Sequence, residues 1–120
     1  MNNVQPVTIY HNPVCSNSRG ALQILRDRGI DHVVVEYLQQ PLSRADFESI
    51  LAMLSGDPTE LVRQDKRFKE LALDAGAYAT PAQVVALLLE HPELMQRPVI
   101  VSRGKAVIAR PPEKLAELLG

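Results

Sequence analysis

The residues with the plainest capacity for chemistry lie in the run Tyr10-His11-Asn12-Pro13-Val14-Cys15-Ser16-Asn17-Ser18-Arg19, which holds the single cysteine among 120 residues. A short apolar run, Val7 to Tyr10, leads into this polar turn, and a helical pattern opens just after the sulfur. A cysteine at such a junction sits among the unpaired amides of a first helical turn, whose partial positive charge favours thiolate over thiol. Ser16, Asn17 and Ser18 supply short hydrogen-bonding groups, and His11 and Arg19 can add positive charge. Environments of this kind bring a cysteine pKa from roughly 8.5 to about 3.5–7.5. The same amides receive oxyanions, so one loop could hold both a nucleophile and an anionic substrate. The plain alternative is a small buried residue that only packs, which is the role of many free cysteines.

Arginines stand at the ends of the other apolar runs. Arg97 precedes Pro98-Val99-Ile100-Val101, Arg110 follows Ala106-Val107-Ile108-Ala109, and Arg63 closes a short helical segment. The far ends of two strands joined by a tight turn lie at one sheet edge, so Arg97 and Arg110 could converge on one pocket. A planar guanidinium offers an oxyanion two parallel hydrogen bonds. Each of these arginines is equally compatible with an ordinary surface position. His11 could tune the loop or serve as an acid near neutral pH, or simply cap the turn. His32 and His91 read as structural. No set of cysteine, histidine and carboxylate residues has metal-ligand spacing, and no glycine-rich loop resembles a nucleotide cradle. A cysteine phosphatase loop needs an arginine six positions after the cysteine; Ala21 occupies that place and the arginine is Arg19.

The elements that must position these residues follow from periodicity. After the loop, Ala21, Leu22, Ile24 and Leu25 recur at helical spacing and Gly29 ends the helix. The valine run His32-Val33-Val34-Val35-Glu36 reads as a buried strand parallel to the first. Ser43 with Asp46 forms a capping box ahead of the stripe Phe47, Ile50, Leu51 and Leu54. Asp57-Pro58-Thr59-Glu60 starts a short helix that carries Arg63, and Thr80-Pro81-Ala82-Gln83 starts another that buries Val84, Leu87 and Leu88. The charges around Lys66 and Arg67 largely offset one another and read as a solvated face. Arg103-Gly104 turns an antiparallel hairpin, and Pro111-Pro112-Glu113 opens a last helix with Leu115, Leu118 and Leu119 on its buried side. The expected fold is a single α/β domain over 1–120, with a mixed sheet of about four strands and a helical insertion at about 43–94 between the second and third strands.

Composition narrows the function. Net charge of −1, no tryptophan, two phenylalanines and three tyrosines give little for nucleic acid to bind. No apolar run approaches the roughly 20 residues of a membrane span, and Met1-Asn2-Asn3-Val4-Gln5-Pro6 lacks the features of a secretory signal, so a cytoplasmic protein is expected. No apolar stripe invites self-association, which makes a monomer the expectation. One cysteine cannot form an internal disulfide, so any redox chemistry at Cys15 requires a thiol from another molecule.

The set His11-Asn12-Pro13-x-Cys15-x-x-Ser18-Arg19 after a strand, then Arg97-Pro98-Val99-Ile100-Val101, then Arg110-Pro111-Pro112-Glu113, resembles the glutaredoxin-linked arsenate reductases of the ArsC family almost end to end, and their short bacterial members in particular. The resemblance implies a thioredoxin-like fold and an oxidoreductase of arsenic detoxification. It implies Cys15 as the nucleophile, and Arg63, Arg97 and Arg110 as catalytic, substrate-binding arginines. By the same resemblance Asn12 contacts substrate, His11, Ser18 and Arg19 stabilise the thiolate, and Pro98 is the cis-proline facing the cysteine. The partners it implies are arsenate, glutathione as co-substrate and glutaredoxin, with no bound cofactor or metal. Two other functions occur on this fold. Spx-like transcription regulators bind RNA polymerase, but many carry a second cysteine where this chain has Ser18. A glutathione-linked thiol oxidoreductase would use the arginines to bind carboxylates.

Overall fold

The computed structural model describes residues 6–119. The stretch Met1 to Gln5, where a secretory signal was sought, lies outside the described residues. The chain divides into two compact units, one made of residues 1–40 and 97–120, the other of residues 41–96.

The first unit is built on a four-stranded sheet. Strand β1 (Val7–His11) alternates buried and half-buried residues and runs into helix α1 (Ser16–Asp27). Gly29, at φ 63°, sits just past α1 and donates its N–H to the Arg26 carbonyl, the left-handed stop expected of glycine there. Strand β2 (His32–Glu36) then pairs parallel with β1, Val7 facing His32 and His11 facing Glu36. After the second unit, β3 (Val99–Ser102) pairs antiparallel with β1 and continues into β4 (Lys105–Ile108), giving the order β2-β1-β3-β4. The β3–β4 turn places Arg103 and Gly104 at φ 52° and 77°, two left-handed residues in succession, which matches the right-handed twist of a hairpin. This is a thioredoxin-like mixed sheet.

Leu22 and Leu25 of α1 close over Ile9, Ile100 and Val107 of the sheet, and Leu115 completes the cluster from the C-terminal segment. That segment, Pro112–Leu118, is the last helix, and it is a 3₁₀ helix. Pro111 and Pro112 lack N–H donors, and Lys114 bonds back only three residues to the Pro111 carbonyl. Leu115 is buried as expected, whereas Leu118 and Leu119 are half-buried.

The second unit is helical. Helices α2 (Arg44–Met53) and α4 (Pro81–Glu90) each open with a complete capping box, Ser43 with Asp46 and Thr80 with Gln83, and the two pack together. Between them come the 3₁₀ turn Pro58–Leu61, α3 (Lys66–Glu70) and a second 3₁₀ turn, Ala75–Ala77. Arg63, expected on the helix opened by Asp57, instead lies beyond it in extended chain. Val62 bridges Met95, and the Arg63 N–H donates to the Leu94 carbonyl at 2.7 Å. Asp57 caps only one tight turn, and this long-range pairing takes the chain over from there. Among the described residues no helix is long and apolar enough to cross a membrane.

Candidate active site

Cys15 is the N-cap residue of α1, in extended backbone at φ −92° and ψ 124°. Its position is locked by the chain around it. The Cys15 N–H donates to the Asn12 carbonyl at 3.0 Å, and the Cys15 carbonyl accepts from the Arg19 N–H at 2.9 Å. The Asn12 side chain accepts from the Val14 N–H at 3.1 Å, closing an Asx turn, so this buried amide shapes the loop through its own backbone. Arg19 braces the same turn by donating from Nη1 to the Pro13 carbonyl at 3.0 Å.

Beneath the loop, Ser18 is fully buried. Its Oγ accepts from the Asn12 N–H at 3.0 Å and is hydrogen-bonded to His11 Nδ1 at 2.7 Å. Burial lowers the His11 pKa; the Glu36 carboxylate opposes this, while Arg26 and Arg19 push it lower still. Burial thus disfavours the charged imidazole, and the contact that His11 makes within the loop is its bond to Ser18.

The sulfur faces several favourable groups. Burial acts to raise the Cys15 pKa, but the Ser18 amide, the Arg97 side chain with its charge and the Asn17 amide together outweigh it, and the thiol lies below its usual range. An N-cap side chain ordinarily accepts from the second or third helical amide, and here those amides belong to Asn17 and Ser18. Arg110 Nη1 donates to Sγ at 3.8 Å and to the Arg97 carbonyl at 3.0 Å, and the thiol faces that same carbonyl at 4.0 Å. The Asn17 amide, with its oxygen turned to the guanidinium, accepts from Arg110 Nη2 at 3.2 Å and Nη1 at 3.3 Å. Arg97 Nε is buried without a hydrogen-bond partner among the described residues. The Arg97–Pro98 and Arg110–Pro111 peptides are both cis.

Cys15, Arg97 and Arg110, separated by up to 95 residues, thus meet around one sulfur. Arg63 belongs to the other unit, where Nε donates to the Asp65 carboxylate at 3.0 Å. The Asn17 side chain was legible only as a polar loop group; its contact with Arg110 depends on the sheet bringing the end of β4 to the start of α1. Among the described residues no group of three or more His, Cys, Asp or Glu could hold a metal ion.

A cysteine at the helix start of a thioredoxin-like sheet, with two arginine-proline pairs brought to its sulfur, defines the class. The chain belongs to the ArsC family, whose pattern it matches over residues 10–118. It is 40% identical over 116 residues to the protein of Escherichia coli strain K12 named uncharacterized protein YfgD, a match covering 95% of this chain and 97% of that one. It is 37% identical to an arsenate reductase of Haemophilus influenzae, with 94% and 98% covered. The solved arsenate reductase from Vibrio cholerae superposes with a TM-score of 0.85 at 34% identity, covering 97% of this chain and 99% of that one.

Proposed function

We propose that this protein is an arsenate reductase that draws its electrons from glutathione and glutaredoxin. The observation that carries the reading is the position of the Cys15 sulfur at the start of α1, its pKa depressed, with the Arg110 guanidinium 3.8 Å away. An anion approaching a thiolate is repelled unless cations offset the charge, and fixed guanidinium and amide donors do that without reorganising during the reaction.

The thiolate attacks arsenic(V) and forms an S–As bond, and one arsenate oxygen leaves as water. Arg110 and Arg97 hold the remaining oxygens. A glutathione thiolate then attacks the Cys15 sulfur. The S–As bond breaks with its electron pair going to arsenic, which leaves as arsenite, and Cys15 is left in a mixed disulfide with glutathione. Glutaredoxin attacks the glutathione sulfur of that disulfide and returns Cys15 as thiolate. Outside thiols are required because the chain contains no second cysteine. Arg63 enters the reading as a third arginine through the family resemblance, as do glutathione and glutaredoxin.

The test is NADPH oxidation coupled through glutathione reductase, glutathione and glutaredoxin, with arsenite measured directly. The wild-type protein should turn over arsenate and Cys15→Ser should not. Arsenite production by Cys15→Ser, or none by the wild type, would overturn the reading.

A further inference from the structure

Arg110 follows β4 in an exposed segment, and its long side chain must cross to the start of α1 to reach Cys15. The Arg97 carbonyl holds it through Nη1 alone. One hydrogen bond leaves a guanidinium free to swivel about the donor–acceptor line, and a bidentate partner fixes its plane. Asn17 is that partner: the amide orientation that satisfies both groups turns Oδ1 toward Arg110, where it accepts from both Nη1 and Nη2. These bonds occupy the Nη1–Nη2 end of the fork. Nε makes no hydrogen bond among the described residues, so the Nε–Nη2 edge remains available to an oxyanion as a pair of parallel donors.

We infer that the Asn17 side chain is the positioning residue for Arg110: it fixes the plane of the guanidinium so that one edge faces the anion next to the Cys15 sulfur. This deepens the proposed function and rests on its assignment of Cys15 and Arg110. Asn17 acts on the site twice, through separable atoms. Its backbone amide favours the thiolate and survives any side-chain change, whereas its side-chain oxygen serves Arg110. Replacing the side chain should therefore disturb anion guidance and leave the amide contribution in place.

The experiment compares alkylation of Cys15 by iodoacetate, an anion, with alkylation by neutral iodoacetamide, in the wild type, Asn17→Ala, Asn17→Leu, Arg110→Ala and the double variant Asn17→Ala/Arg110→Ala. The iodoacetate-to-iodoacetamide rate ratio should fall about three- to tenfold in both Asn17 variants, a typical coupling between members of one hydrogen-bond network. It should fall at least as far in Arg110→Ala, and Asn17→Ala should add nothing in that background. A ratio unchanged in both Asn17 variants, or an equal further fall in the double variant, would overturn the assignment. Leucine matches asparagine in size and alanine favours helix, so the two substitutions separate loss of the oxygen from loss of bulk. The ratio needs no arsenate. A wild type that failed to reduce arsenate would therefore remove the reductase reading while the guidance of Arg110 was still being read.

Discussion

The two units of the chain treat their arginines differently. In the sheet unit, Arg110 is held by a main-chain carbonyl and a sulfur, with the Asn17 amide oxygen turned to it, and among the described residues no carboxylate bonds it. In the helical unit, Arg63 bonds Asp65, and Arg67 bonds Glu93 at 3.0 Å, with Glu70 at 3.9 Å. The carbonyl and amide acceptors are neutral, so they fix the guanidinium while leaving its charge for the sulfur and an incoming anion. A carboxylate fixes it and offsets the charge. Both are stable ways to hold an arginine, but only the first leaves positive charge and free donors beside the Cys15 sulfur.

The largest expected effect follows from that contrast. Arg110→Ala should lower kcat/KM for arsenate by about 10²–10³-fold, the scale of losing one preorganised donor at a developing charge. Arg63→Ala should lower it by less than about tenfold, since the charge removed is already partly offset by the Asp65 carboxylate it bonds. Steady-state kinetics on the two variants check the ranking. Equal losses would break the comparison and show that the Asp65 pair does not restrain Arg63.

What could be read from the sequence divides along the same line. The capping box at Ser43, the helix start at Thr80, the stop at Gly29 and the turn at Arg103-Gly104 depend on neighbours a few residues apart, and all are present. The Cys15 loop was legible for the same reason, because strand, turn and helix start are contiguous. Arg63 was assigned to the wrong local structure because Val62 pairs with Met95, more than thirty positions away. The roles of the arginines depend on acceptors distant in sequence: Asn17 and the Arg97 carbonyl for Arg110. For His11 the sequence left open a tuning, acid or capping role, and only the fold reveals its burial, its bond to Ser18 and the lowering of its pKa that burial brings.

A smaller effect tests the rigidity of the two regions. Ser18→Ala removes a fully buried hydroxyl and leaves the Asn12 N–H and His11 Nδ1 without their partner, so it should cost about 1–3 kcal/mol. Asp65→Ala removes a partly exposed carboxylate that caps α3 through the Phe68 N–H and pairs with Arg63. It should cost only about 0.5–2 kcal/mol, the range for loss of a helix cap. Urea unfolding of both variants measures the difference. A greater loss for Asp65→Ala would place the more firmly built polar network in the helical unit.

Acid should distinguish the units by the pH at which each loses support. His11 has a depressed pKa in the fold, so below about pH 6.5 the unfolded chain binds a proton that the folded chain resists. Its contribution to stability is therefore full above that pH and declines as pH falls toward the folded pKa. Asp65 and Glu93 also have depressed pKa values: burial opposes ionisation in each, and hydrogen bonds and arginine charge outweigh it. For these carboxylates the unfolded reference is near 4, so their contribution persists to more acidic pH and declines only below about that value. Between pH 7 and 5 the wild type should lose stability through His11, by no more than about 2 kcal/mol, the ceiling set by an unfolded imidazole pKa near 6.5. His11→Gln removes that titration, and its urea midpoint should change less over the interval. An identical loss in the variant would show that the imidazole under the Cys15 loop does not set the acid sensitivity of this range.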